Sequence, residues 1–192
     1  MRDALLNRPA AALLRRSFYA RPTVEVARDL LGKIIRHGPS SARIVETEAY
    51  LGTDDPAAHS ARGVTPRTKV IFGPPGHAYV YLVYGMHYCL NIVAEPKGVA
   101  GCVLIRAVEP IDHSAGITQP SNGPGKLTRA MGITLQHYGA DLTRGPITLH
   151  QPRDQAPFEI AISPRIGISE AADLPLRFFI RGNRFVSREP RR

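Results

Sequence analysis

The stretch 43–50, RIVETEAY, places two carboxylates and a phenol at alternate positions. On an extended strand Ile44, Glu46, Glu48 and Tyr50 share one face and Val45, Thr47 and Ala49 the other. The Val45 side reads as core, so two acids and a tyrosine occupy the opposite face. Burying an unpartnered carboxylate is costly. Three arrangements satisfy that constraint: the face is wet, arginines pair with it, or the acids do chemistry. A carboxylate in a partly dry cleft is a good general base for water, and a pair of them is the apparatus of glycoside hydrolysis. Glu48 is the candidate base. A structural salt bridge is the commoner use of any single glutamate, and that reading is kept for Glu46.

A second concentration lies at 79–91, YVYLVYGMHYCLN, where four tyrosines and a histidine fall within ten positions. Strands favour aromatics, so a tyrosine-rich hairpin is the plain explanation. However, Tyr84-Gly85-Met86 falls where the chain must turn, and a large aromatic and a methionine at a hairpin tip are hard to bury in their own domain. Side chains of this kind open base steps from the minor groove. Enzymes that act on a base within a duplex must extrude it, then hold it by stacking and edge hydrogen bonds. Tyr50, Tyr81 and His59 are candidate walls for such a base, and Asn91 a candidate edge contact.

The elements that must carry these residues follow from periodicity and breakers. A helix is expected over 24–31, capped by Thr23 and ended by Gly32, with Val26, Ala27, Leu30 and Leu31 at helical spacing. Strands are expected at 33–37, 43–50, 78–83, 87–94 and 101–108, with later ones near 146–149, 158–162 and 176–181. Residues 51–76 are rich in Gly, Pro, Asp and Thr and read as a long loop with a turn of helix near 56–60. Long loops in compact domains are commonly functional, and this one holds His59, Arg62, Thr65 and Arg67. The segment 123–133, GPGKLTRAMGI, reads as a loop entering a short helix. The sum is one α+β domain over 17–192, built on a curved, mostly antiparallel sheet with flanking helices and a protruding hairpin. Residues 1–16 form a loose N-terminal arm; their arginines hint at a targeting segment, but the apolar runs are too short for a secretory core.

The chain has 192 residues, of which 43% are hydrophobic, enough for a real core. No apolar run approaches a membrane span. The two cysteines, Cys89 and Cys102, sit in apolar surroundings and read as buried reduced thiols, which suits a cytoplasmic location. Net charge is +9, from 25 Lys+Arg against 16 Asp+Glu, a balance that favours polyanions. Residues 41–61 reverse the sign, with Arg43 against Glu46, Glu48, Asp54 and Asp55.

Several motifs fail on inspection. GPGKL lacks the earlier glycine of a phosphate loop, and Leu127 stands where Ser or Thr would bind magnesium. His87 and Cys89 lack the remainder of a zinc deaminase signature. There is no G-x-S-x-G elbow and no cofactor fingerprint. None of these motifs calls for a metal or an organic cofactor.

RIVETEAYLG, AAHS, TPR, YVYLVYGMHYCLN, CVLIRAVEP and GPGKL occur in an order and spacing that resembles the alkyladenine DNA glycosylases, also called methylpurine or 3-methyladenine DNA glycosylases. The resemblance runs from about Ser17 to about Ser187. It implies a metal-free, monofunctional glycosylase of base excision repair that acts on double-stranded DNA containing damaged purines. With duplex DNA as the partner and no seam for another subunit visible in the sequence, a monomer is expected. By that resemblance Glu48 activates the attacking water and Arg106 helps to position it. Tyr50, His59 and Tyr81 surround the flipped base, Asn91 filters against normal purines, and Tyr84 fills the gap in the stack. Met86, Thr65, Arg67 and Lys126 become DNA contacts. No lysine lies in the ETEAY, AAHS or hairpin motifs, so the expected product is an intact abasic site. Two rival readings use the same residues: a nucleic-acid-binding protein without chemistry, and a nucleoside or glycoside hydrolase built on Glu46 and Glu48.

Overall fold

The computed structural model describes residues 11–111 and 117–187. Of the arm expected over 1–16, residues 1–10 lie outside the described part. Beyond them, Ala12–Leu13 (β1) pairs antiparallel with Ile147–Gln151 (β7). The short helix Arg16–Tyr19 (α1) follows, and Arg16 binds Asp141 at 2.7 Å.

The helix Thr23–Asp29 (α2) forms where the apolar spacing places it, and Gly32, at φ +80°, follows its end. The cap is a correction. Pro22 occupies the cap position, and Thr23 is the first helical residue. Its backbone N–H and its hydroxyl both donate to Glu95 Oε1, at 2.6 and 2.9 Å. A carboxylate distant in sequence therefore satisfies the helix terminus, and its charge suits the positive end of the helix. The inner face of α2 buries Val26, Ala27 and the following Leu30 and Leu31. Each leucine so buried contributes roughly 1.5–3 kcal/mol.

Strands Ile34–His37 (β2), Ser40–Tyr50 (β3), Ala78–Val83 (β4), His87–Val93 (β5) and Cys102–Pro110 (β6) lie close to their expected positions. So do β7, Ile160–Ser163 (β8) and Arg177–Ile180 (β9). The sheet runs β1-β7-β2-β3-β6-β5-β4, and every ladder is antiparallel. β3 is longer than expected and divides one edge between two partners. Its first residues pair with β2, while Glu46, Thr47 and Glu48 pair with β9, which also carries β8. The result is a curled antiparallel sheet with few helices, the α+β architecture expected.

The β3–β6 ladder shifts register twice, between Ile44 and Glu46 and again between Glu46 and Thr47. Val45 is the extra residue on one strand and Arg106 on the other. These bulges overturn the simple alternation, because Ile44 packs in the main core together with Val45 and Ala49. Of the three arrangements left for the acidic face, a wet one is excluded: Glu46 and Glu48 are fully buried, and Arg106 pairs with both. A second, smaller cluster of Ile71, Tyr79, Val93, Ala100 and Cys102 underlies β4 and β5 and supports Tyr50 and Tyr81. Cys89 and Cys102 are both buried and free.

The segment 51–76 is irregular, with one 3-10 turn at His59–Arg62. Asp55 organises its start, accepting the N–H groups of Leu51 and Ala57 at 3.1 Å each. The helix Pro124–Ala130 (α3) starts with proline in its first turn, where no N–H is needed. Gly125 sits against β5: a Cβ there would lie 2.9 Å from His87 Cβ, so only glycine fits.

Candidate active site

Glu48 lies near the end of β3, where the bulges deliver Arg106 from β6. Its Oε1 accepts the Ile166 backbone N–H at 2.8 Å and faces Arg106 Nη1 at 3.2 Å. Its Oε2 accepts the Tyr50 hydroxyl at 3.1 Å. Burial pushes the Glu48 pKa above the ordinary carboxylate value; Arg106, the Ile166 N–H and the Tyr50 hydroxyl oppose that rise. A carboxyl so placed has a higher proton affinity than an exposed one, which suits a base.

Glu46 has a different environment. Its Oε1 accepts from Arg177 Nε at 2.7 Å, Arg106 Nε at 3.1 Å and the Ser187 hydroxyl at 2.8 Å, and its Oε2 accepts the Ser187 N–H at 2.7 Å. Of these donors only Arg106 lines the adjacent pocket, whereas all three donors to Glu48 do. Glu46 thus reads as a structural ion-pair centre, and it fixes Arg106 beside Glu48.

In front of this group lies a pocket of about 360 Å³ bounded by Tyr50, His59, Tyr79, Tyr81, Asn91 and Arg106, with Ile166, Gly167 and Ile168 along one side. That volume lies in the range of roughly 300–1,000 Å³ usual for small-molecule sites. The aromatic walls are set by mutual contact. His59 and Tyr81 have ring centroids 4.6 Å apart at 72°, and Tyr79 and Tyr81 are 5.3 Å apart at 32°. His59 Nδ1 lies 2.8 Å from the Tyr79 hydroxyl. Although His59 keeps an edge in solvent, desolvation by its neighbours, aided by the Arg67 and Arg62 charges, lowers its pKa to about 4. The ring is neutral at physiological pH. Asn91 is buried and donates one amide N–H to the Tyr79 carbonyl at 3.3 Å. A larger cleft, about 700 Å³, lies elsewhere and contains the Arg43–Glu109 ion pair. It has no aromatic wall, so it offers nothing on which a planar ligand could stack.

The β4–β5 hairpin turns beside the pocket, whose lining includes Tyr84. Tyr84 is 86% exposed and Met86 69%. Tyr84 adopts φ +52°, followed by Gly85 at +69°. A bulky residue there costs roughly 1–2 kcal/mol relative to right-handed backbone. The tip thus combines exposed apolar surface with backbone strain, neither of which helps the isolated fold.

Of the other candidates, Arg67 belongs to the rim. Its guanidinium stands 4.9 Å from the Tyr81 centroid, and Nη2 is 3.5 Å from His59 Nε2. Thr65 is exposed, and its hydroxyl lies 2.9 Å from that of Thr68, which closes a turn of the loop outside the pocket. Lys126 is on α3, with Nζ donating to Asn122 Oδ1 at 3.2 Å. Among the described residues no cluster of three or more His, Cys, Asp or Glu side chains could hold a metal.

Four contributors were not singled out from sequence. Tyr79 carried a signal, since it lies two residues before Tyr81 and so shares its strand face. Arg165 and the Ile166 peptide carried none, because they reach the site across more than a hundred residues of chain. Arg177, which anchors Glu46, was equally silent.

A curled antiparallel sheet thus holds a buried carboxylate behind an aromatic pocket, with the strained Tyr84 turn on its rim. The family model for methylpurine-DNA glycosylase matches residues 17–184, and the chain belongs to that family, hydrolases that cleave N-glycosidic bonds in DNA. Among similar proteins, a putative 3-methyladenine DNA glycosylase of Methanoculleus marisnigri is 47% identical over 187 residues, covering 90% of this chain and 97% of its own. Those of Rhodopseudomonas palustris (strain BisB18) and Chlorobaculum tepidum are 51% and 48% identical, covering 91% and 89% of this chain and 90% and 88% of their own. Among the described residues no helix is long and apolar enough to cross a membrane.

Proposed function

We propose that this chain flips a damaged purine out of double-stranded DNA and hydrolyses its bond to deoxyribose, acting as a monomer in base excision repair in the cytoplasm. The observation that carries the reading is the position of Glu48: a buried carboxylate with raised proton affinity, held by Arg106, Tyr50 and the Ile166 N–H behind an aromatic pocket.

In this reading Tyr84 enters the minor groove and occupies the space the extruded nucleotide leaves, with Met86 beside it. Tyr50, Tyr81 and His59 surround the base. A purine alkylated at N3 or N7 is cationic, and electron-rich tyrosine faces favour it over a neutral one. His59, being neutral, adds no opposing charge. Asn91 penalises bases whose edge does not fit. The C1′–N bond breaks, the purine leaves with the electron pair, and positive charge grows on the sugar. Glu48 stabilises that charge and takes a proton from the water that attacks C1′, so the product is an abasic site. Thr65, Arg67 and Lys126 are assigned to the DNA backbone, where counterion release makes binding salt-sensitive.

The test is base release from duplexes carrying hypoxanthine, ethenoadenine, 3-methyladenine or 7-methylguanine, in EDTA, with Glu48→Gln as control. Release by the wild type alone supports the reading. Salt-sensitive binding without release would favour a binding protein, and neither binding nor release would point to a small-molecule hydrolase.

A further inference from the structure

Arg165 does not line the pocket, yet its contacts converge on Glu48. Its side chain is fully buried, as is that of its partner Asp55. Nη1 bonds one Asp55 oxygen and donates to the Ala49 carbonyl at 3.1 Å, and Nη2 donates to the other Asp55 oxygen at 2.9 Å. The guanidinium carbon stands 4.7 Å from the Tyr50 ring centroid. The next peptide along the chain is the Ile166 N–H that donates to Glu48 Oε1. One side chain therefore touches both residues that follow Glu48 on β3 and also fixes the segment that supplies a donor to Glu48.

Stability alone is a weak reason for such a group. The desolvation of a buried ion pair offsets most of its attraction, and apolar residues of similar volume do as well or better. Arg165 carries a further penalty, because its Nε is buried without a hydrogen-bond partner. What a bidentate guanidinium supplies is geometry: a rigid planar fork with one allowed orientation. Asp55 is itself tied to the loop through the Leu51 and Ala57 N–H groups, so the fork is anchored at both ends.

We propose that the Asp55–Arg165 pair positions the base, holding the Tyr50 ring and the 165–168 segment so that the Tyr50 hydroxyl and the Ile166 N–H both remain on the Glu48 carboxylate. Arg165 is thus a positioning residue, acting through Tyr50 and Ile166. The proposal rests on the reading of Glu48 as general base. Both donors stabilise the ionised form of Glu48. Loosening them lets Glu48 take up a proton at higher pH and leaves the activated water less well aimed.

The experiment is single-turnover release of hypoxanthine from duplex DNA as a function of pH, for the wild type, Arg165→Lys, Asp55→Asn and Glu48→Gln, with melting curves and DNA affinities for each. Arg165→Lys keeps the charge opposite Asp55 but removes the fork and the planar face over Tyr50. The expected result is a plateau rate lower by about tenfold, DNA affinity unchanged, and an acidic limb displaced upward by about one pH unit or less. Asp55→Asn should move the limb in the same direction. A limb that stays in place while only the active fraction falls would show a purely structural role and overturn the proposal. So would wild-type rates in a folded Arg165→Lys. If Glu48→Gln itself turns over normally, the proposal falls together with the general-base reading. That outcome is distinct from an inactive Glu48→Gln beside an unaffected Arg165→Lys.

Discussion

Glu46 and Glu48 share one guanidinium: Arg106 reaches Glu46 through Nε at 3.1 Å and Glu48 through Nη1 at 3.2 Å. The two acids nevertheless differ in kind. Glu46 has Arg177 and Ser187 as additional donors, whereas those of Glu48, the Tyr50 hydroxyl and the Ile166 N–H, come from residues that line the pocket. Arg106 holds this place because it is the unpaired residue of a bulge, a common device for redirecting a side chain at an active site.

Replacing Glu48 by Gln should leave DNA affinity nearly unchanged and lower base excision by about 10²–10⁴-fold, the usual contribution of a positioned base. Binding and single-turnover rates measured on one lesion-bearing duplex check this. Normal turnover by the variant would remove Glu48 from the mechanism.

Replacing Glu46 by Gln should act on stability first. It leaves Arg106 and Arg177 buried beside a neutral partner, a loss of about 3–5 kcal/mol by analogy with other broken buried pairs. Urea unfolding reads that loss. Glu48 should show a different pH signature. Its folded pKa is raised above the ordinary 4.5, so ionising it disfavours the folded state. The melting temperature of the wild type relative to Glu48→Gln should therefore decline as pH rises from about 4.5 through the raised value.

His59 has the opposite linkage. Its folded pKa of about 4 lies below the ordinary 6.5, so the unfolded chain binds the proton first. Its contribution to stability is complete above pH 6.5 and is lost as pH falls toward 4. A melting series should show the wild type losing ground to His59→Gln across that window. Parallel curves would mean that the ring is not held neutral by its neighbours.

Tyr84→Gly should separate fold from function. Glycine relieves the positive φ at that position, which offsets its greater chain entropy, a balance of about 1 kcal/mol either way. Stability should hold, while excision from a paired duplex should fall more than excision of a base that is already extrahelical. Equal losses on both substrates would argue against a wedge.

Much of the fold was legible because its signals are local. Apolar spacing gave α2 and most strands, and Tyr84-Gly85-Met86 marked the hairpin tip. The motifs ETEAY, AAHS and the tyrosine run named most of the pocket. The Thr23 cap was misread because the true acceptor, Glu95, lies more than seventy residues away. Ile44 was misplaced because a bulge breaks the two-residue alternation, and nothing in the order of residues announces a bulge.

The sequence by itself determined which residue types were available: two acids two apart, tyrosines alternating on a strand, an exposed turn and a basic balance of charge. Only the tertiary structure decided which acid is held as structure and which is left beside the pocket. That choice depends on where Arg106, Arg165, Arg177 and the Ile166 peptide arrive. They do so through strand pairing and loop packing between distant segments, and the strength of a buried charge interaction is set by distance and desolvation rather than by separation along the chain.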